Sequence, residues 1–277
     1  MIIFQKSAAI NTYLSAQKKP TGFVPTMGAL HTGHISLIEK CKQENEIAIA
    51  SIFVNPTQFN DAKDFEKYPV TIEKDIDMLE KVGCDILFLP PVSEVYPDGV
   101  ANLHNYNLGF IETVLDGKYR PGHFQGVCQV VHRLLTIIQP NSLYLGQKDY
   151  QQCMVITKLC ELIDADIQIH ICPTLREADG LAMSSRNMRL NKTEREKAVK
   201  IFHTLCFIKR EIKPGYIEDI KVRAVDYLTT EGFKPDYVEI ADAKTLKTVE
   251  VWDGQQKLVA LIAAFLNDVR LIDNMVL

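Results

Sequence analysis

Short apolar runs alternate with longer stretches of helical periodicity through the first two-thirds of this chain. The clearest run is Ile47-Ala-Ile-Ala-Ser-Ile-Phe-Val54, which has no polar face, as a strand buried on both sides requires. Gly22-Phe-Val-Pro-Thr26, Asp85-Ile-Leu-Phe-Leu89, Ser142-Leu-Tyr-Leu145 and Asp166-Ile-Gln-Ile-His-Ile171 read as further strands. Helices are predicted from near His34, over Val70–Val82, over Phe124–Gln139 and over Asp149–Ile163. Strand, helix, strand, helix at this spacing predicts an α/β fold: a parallel sheet with helices on both faces. After about Arg189 the texture changes. The charged segment Asn191–Lys197, with Asn191-x-x-Glu194 as a capping box, leads into helical stretches as far as Thr230. Strand-like runs follow at Asp236–Ile240 and Leu258–Leu266, so a smaller α+β domain is expected behind the first. The expected division is 1–180 and 181–277.

Composition narrows the function classes. Among 277 residues, 31 basic against 35 acidic side chains leave a net charge of −4, which disfavours a nucleic-acid binder driven by bulk positive charge. The longest uninterrupted apolar run, Leu258–Leu266, falls far short of the roughly 18 residues that a membrane span needs. Met1–Lys6 has no basic region ahead of an apolar core, so it does not read as a secretory leader and a cytoplasmic location is expected. The seven cysteines are odd in number and scattered without a Cys-x-x-Cys pair, which predicts reduced, packed thiols and no zinc site.

Chemistry concentrates where predicted strands run into helices, the place where parallel sheets bind ligands. Pro25-Thr-Met-Gly-Ala-Leu-His-Thr-Gly-His34 is the strongest such turn. Its helix start supplies unpaired N–H groups and a positive dipole end, and Gly28 and Gly33 permit close approach of a phosphate. The glycine spacing superficially matches a P-loop, but His34-Ile35 stands where Lys and Ser/Thr would be needed. The imidazoles of His31 and His34 can donate to an oxyanion and, when protonated, offset charge at phosphorus. In a second strand end, Leu145-Gly-Gln-Lys-Asp-Tyr-Gln-Gln152, Lys148 opposes the helix dipole unless an anion is nearby and so is a candidate phosphate ligand, while Asp149 could cap the helix or hold a ribose hydroxyl or metal. Met183-Ser-Ser-Arg-Asn187 supplies hydroxyls and a planar donor fork. Asn55 and Gln58 offer neutral amides for a hydroxylated acid, and Arg120 and His123 lie in a Gly/Pro-punctuated loop as candidates for a lid or second anion contact. No Ser-His-Asp order, nucleophile elbow or carboxylate pair stands out.

These segments together resemble the pantoate–β-alanine ligase (pantothenate synthetase) family of the His-x-Gly-His nucleotidyltransferase superfamily. The resemblance rests on Pro25–His34, Phe53-Val-Asn-Pro-Thr-Gln-Phe59, Arg120-Pro-Gly-His-Phe124, Gly146-Gln-Lys-Asp149, Gln151-Gln152, Asp179–Asn187 and Arg270-Leu-Ile-Asp-Asn274, in the family's order. It implies a Rossmann-like first domain, a C-terminal lid, a homodimer, and small-molecule substrates: ATP, pantoate and β-alanine. The implied reaction runs through an enzyme-bound pantoyl adenylate. ATP would be cradled by Met27, Gly28, Ala29, Leu30, His31, Thr32, Gly33 and His34, with His34 the acid-type catalytic residue, His31 beside it on the phosphates, and Lys148 and Arg186 completing the implied catalytic set. Gly146, Gln147, Lys148 and Asp149 would add further ATP contacts, with Lys148 on phosphate and Asp149 near the ribose. Leu175 would give an adenine-side backbone contact, and Met183, Ser184, Ser185 and Arg186 would close over the nucleotide. Gln58 and Gln152 would bind pantoate and β-alanine. No metal site made of protein ligands is implied; Mg2+ is expected to arrive with ATP. Thr32 and Val70 depart from the family's usual Glu and basic residue. Two competing readings remain, a different nucleotidyltransferase and a non-catalytic nucleotide binder on the same fold.

Overall fold

The computed structural model describes residues 1–59, 65, 66 and 68–277. Two compact units emerge, one formed by Met1–Gly146 with Gln151–Pro173, the other by Gln147–Tyr150 with Thr174–Leu277. The change of unit falls at Pro173/Thr174, and Gln147–Tyr150 group with the later residues.

The first unit is built on β1 (Ile2–Phe4), α1 (Ser7–Gln17), β2 (Thr21–Thr26), α2 (Thr32–Glu44), β3 (Ile47–Ile52), α3 (Ile72–Lys81), β4 (Ile86–Phe88), α4 (His123–Ile138), β5 (Ser142–Gly146), α5 (Tyr150–Leu162) and β6 (Gln168–Cys172). Six parallel strands pair in the order β1-β4-β3-β2-β5-β6. All of β3 is buried because its alternate side chains serve two cores. Ile47 and Ile49 pack with Ile10 of α1, Val127 and Val131 of α4, and Val155 and Ile156 of α5. Ala48, Ala50 and Ile52 pack with Leu37, Ile38 and Cys41 of α2 and Leu79 of α3. Two buried faces explain why this strand reads as continuously apolar.

Chain order reverses about β2, which has β3 on one side and β5 on the other. In open parallel sheets the crevice outside the carboxyl ends at such a point is where ligands sit. β1 and α1 carry little sequence signal: β1 is a short edge strand with Ile2 and Ile3 exposed, and α1 buries only Ile10 completely.

In the second unit, α6 (Lys192–Ala198), α7 (Lys200–Glu211), β7 (Gly215–Tyr216), α8 (Glu218–Thr230), β8 (Lys234–Asp242), β9 (Val251–Trp252), β10 (Leu258–Leu266) and β11 (Val269–Val276) follow in order. β11, β10 and β8 form an antiparallel sheet, and its apolar face packs on Ile201, Leu205 and Ile208 of α7 and on Ile220, Ala224 and Leu228 of α8. The Asn191 capping box forms as expected, with reciprocal bonds of 3.0 and 2.8 Å to Glu194. Among the described residues no helix is long and apolar enough to cross a membrane.

Candidate active site

Between β2 and α2 the chain makes a turn held from both sides. The Thr26 hydroxyl donates to the Ser51 carbonyl at 2.7 Å and accepts from the Gly28 N–H at 3.2 Å. Gly28 has φ +81°, and a Cβ there would lie 3.0 Å from Ile52 Cγ2 and 3.1 Å from Asp75 Oδ2. Ala29 follows at φ +49°, a left-handed conformation costing a non-glycine residue about 1 kcal/mol. The carboxylate of Asp75, on α3 and fully buried, offsets that cost. It accepts from the Ala29 N–H at 2.9 Å, the Leu30 N–H at 2.8 Å and the Thr71 hydroxyl at 3.0 Å. A buried anion needs such donors, and here they fix the turn.

The imidazoles cap α2. His31 Nδ1 accepts from the Gly33 N–H at 3.2 Å, and His34 Nδ1 accepts from the His31 N–H at 3.3 Å. Each neutral ring therefore carries its proton on Nε2, since the other nitrogen must present a lone pair. The rings lie 4.0 Å apart, centroid to centroid, and are tilted by 38°. Capping thus turns two adjacent imidazoles into two oriented Nε2–H donors beside a helix N-terminus, an arrangement suited to phosphate oxygens.

After β3, Asn55 organises a second element of the same unit. It is 1% exposed; its Oδ1 accepts from the Tyr96 hydroxyl at 2.9 Å, while its Nδ2 donates to Gln58 Oε1 and to the Gly126 carbonyl, both at 3.1 Å. With Oε1 engaged, the buried Gln58 presents its amide N–H groups, one of them toward the Met27 sulfur. Gln152 is half-buried in the first turn of α5. The neighbouring Gln151 braces a loop, accepting from Asp116 N–H at 3.0 Å and donating to the carbonyls of Ile111 and Val114.

In the second unit, Gln147–Asp149 form one 3-10 turn, and the buried Asn274 donates to the carbonyls of Gln147 and Lys148 at 2.9 and 2.8 Å. Lys148 Nζ lies 3.6 Å from Asp149. Beside Asn274, Asp273 forms a two-pronged pair with Arg176 at 2.6 and 3.0 Å, and Arg176 stacks over Phe202. Burial pushes the Asp273 carboxyl up from its ordinary range, against the pull of Arg176. Leu175 uses its carbonyl to accept from the Met183 N–H. Ser184 caps the turn Ser185–Arg189 by accepting from the Arg186 N–H at 3.2 Å. Among the described residues no three His, Cys, Asp or Glu side chains are grouped to hold a metal ion.

A model of the pantoate-beta-alanine ligase family matches residues 2–276. The chain belongs to this family. Pantothenate synthetase of Cytophaga hutchinsonii is 43% identical over 283 residues, covering 100% of this chain and 99% of that one. The Bacteroides fragilis enzyme of the same name is 43% identical over 263 residues, 94% of this chain and 92% of the relative. The crystal structure of pantothenate synthetase from Thermus thermophilus superposes with a TM-score of 0.92 at 35% identity, covering 99% of each chain. That of the Francisella tularensis pantoate-beta-alanine ligase, complexed with beta-gamma ATP and β-alanine, gives 0.83 at 38% identity, covering 100% of this chain and 97% of that one.

In this pantoate–β-alanine ligase family member, the His31-Thr-Gly-His34 turn brings two capping imidazoles to 4.0 Å of each other. The supporting roles of three residues escaped sequence reasoning, although one of them, Asp273, lies in the quoted Arg270–Asn274 segment. Asp75 sits in a charged stretch, although Ile72, Ile76 and Leu79 place it within their apolar stripe. Gly126 and Asp273 left comparable traces, the former a glycine inside a helix and the latter an acid at an inward register of β11.

Proposed function

We propose that this protein joins pantoate to β-alanine using ATP. The pantoate carboxylate attacks the α-phosphorus of ATP and releases pyrophosphate; the β-alanine amine then attacks the carbonyl of pantoyl adenylate and releases AMP. The capped imidazole pair carries this reading. Two Nε2–H donors, fixed by backbone bonds at a helix start, can stabilise charge developing on the phosphoryl oxygens without forming a covalent enzyme intermediate.

Around that pair, Met27–His34 would wrap the phosphates, Lys148 would contact phosphate and Asp149 the ribose. Gly146 and Gln147 would contribute backbone, Leu175 the adenine-side contact, and Met183, Ser184, Ser185 and Arg186 a covering segment. Gln58, whose Oε1 is held by Asn55 so that its amide N–H groups remain as donors beside Met27, suits the oxygens of pantoate, and Gln152 would join it for pantoate or β-alanine. Mg2+ would enter bound to ATP, screening its phosphates and held largely by them. A cytoplasmic homodimer belongs to the same proposal.

The test is ATP–pyrophosphate exchange. Pantoate alone should support exchange, and adding β-alanine should yield AMP and pantothenate in equal amounts. Exchange supported by amino acids in place of pantoate, or no AMP from folded protein with all three substrates, would refute the assignment.

A further inference from the structure

Arg120 and His123 have no part in the reaction as drawn above, yet their geometry is specific. Arg120 Nη1 lies 2.9 Å from His123 Nε2. A guanidinium only donates, so Nε2 is the acceptor and the ring proton sits on Nδ1. That Nδ1–H donates to the main-chain carbonyl of Gln58 at 2.8 Å. The imidazole is 5% exposed and belongs to the first residue of α4. One turn further on, Gly126 lets the helix press against the same backbone: a Cβ there would fall 2.3 Å from the Thr57 carbonyl oxygen and 2.8 Å from Gln58 Cα.

We propose that Arg120 and His123 form a positioning couple that sets Gln58 for pantoate, an inference resting on the pantoate role of Gln58 given above. Arg120 selects the Nδ1–H tautomer of His123. His123 fixes the main-chain carbonyl of Gln58. Asn55, bonded to the Gly126 carbonyl, fixes the amide end of the same residue. Both ends of Gln58 are therefore referenced to the first turn of α4. The couple acts through Gln58 as a positioning device, and its effect should be confined to the substrate that Gln58 holds.

The experiment compares His123→Gln with His123→Asn in ATP–pyrophosphate exchange, varying pantoate and ATP separately. An Asn amide nitrogen can occupy the place of imidazole Nδ1 and keep the donor to Gln58. A Gln amide reaches the Nε2 position and loses it. Expected is a pantoate KM raised about tenfold in His123→Gln, the scale of one lost hydrogen bond, with ATP KM within about twofold. His123→Asn should restore pantoate KM to within about threefold of the parent. Arg120→Met, which frees the tautomer, should raise it by a smaller factor. Parental pantoate KM in His123→Gln overturns the couple, as does a parallel rise in ATP KM, which would mark general damage. If His123→Gln does not fold, Arg120→Met decides, and an unchanged pantoate KM there overturns the proposal. A rise in Arg120→Met with none in His123→Gln also overturns it, because Arg120 would then be meeting the substrate anion itself. Gln58→Ala separates the two levels: raised pantoate KM there with parental His123→Gln removes only the couple, whereas parental KM in Gln58→Ala removes the pantoate reading as well.

Discussion

Replacing Asp75 by Asn keeps the side chain's shape and removes the charge on which the Gly28–His34 turn is hung. The carboxylate accepts three hydrogen bonds, two of them from consecutive backbone N–H groups of Ala29 and Leu30. An amide retains one oxygen and sets an NH2 group against one of those N–H donors. One charge-assisted bond is lost and a buried donor is stranded, together costing about 2–4 kcal/mol. In a chain of this size that corresponds to a Tm lower by roughly 5–10 °C. Catalysis should suffer separately. Ala29 is held at φ +49° only against a steric penalty, and the imidazoles follow immediately along the chain. A displacement of about 1 Å in their Nε2–H donors is worth roughly a hundredfold in rate. Pantoate-dependent exchange by Asp75→Asn, measured well below its Tm, should therefore fall in kcat by about 10²-fold. The 15N resonances of His31 and His34 should also depart from the Nε2–H tautomer of the parent. A folded Asp75→Asn protein retaining more than about a third of parental kcat would refute the clamp, for the predicted loss of about 2.7 kcal/mol would be absent.

Further outcomes can be measured on the same protein. Ser51 is fully buried and its hydroxyl has no hydrogen-bond partner among the described residues, so Ser51→Ala should be neutral or stabilising by up to about 1 kcal/mol in urea unfolding. Burial pushes the Cys41 and Cys128 thiols up to about 12 and Cys84 up to about 11. Thiol reagent near pH 8 should therefore reach the half-buried Cys206 and Cys172 first, and all seven only after unfolding. The Ser7 N–H beside Glu94 and the Arg195 guanidinium beside Asp179 hold these carboxyls below their ordinary range. Folded values lower than unfolded ones give stability that is present above the ordinary carboxylate range and lost as pH falls through the folded value. The urea midpoint should thus fall from about pH 5 toward pH 3, less steeply in Glu94→Gln.

The central sheet was legible because burial on two faces leaves a direct imprint, as in Ile47–Ile52, whose every residue is buried. Edge strand β1 left none: three residues with two exposed isoleucines cannot be told from a loop. Strand β11 was hidden differently. Arg270, Asp273 and Asn274 break its apolar pattern, two of them because they pair with Asp236 and Arg176 and the third because it holds the Gln147–Lys148 backbone. For the site, the imidazole pair and its glycines were readable because side-chain chemistry and backbone freedom are properties of single residues. The charge under them was not. Asp75 reaches the turn across more than forty positions of sequence, and only folding brings α3 beneath it. Tautomers lie further still from a sequence reading, since His31 and His34 present Nε2–H through contacts that exist only once the helix is capped.

The most direct test of the account is a rapid-quench single turnover with His34→Ala, following pyrophosphate release from ATP and pantoate without β-alanine. Loss of one oriented donor at the phosphoryl centre should slow this step by a factor of about 10² or more, while the protein stays folded and binds pantoate as the parent does. Pyrophosphate release at the parental rate would contradict the assignment of adenylate formation to the capped imidazole pair.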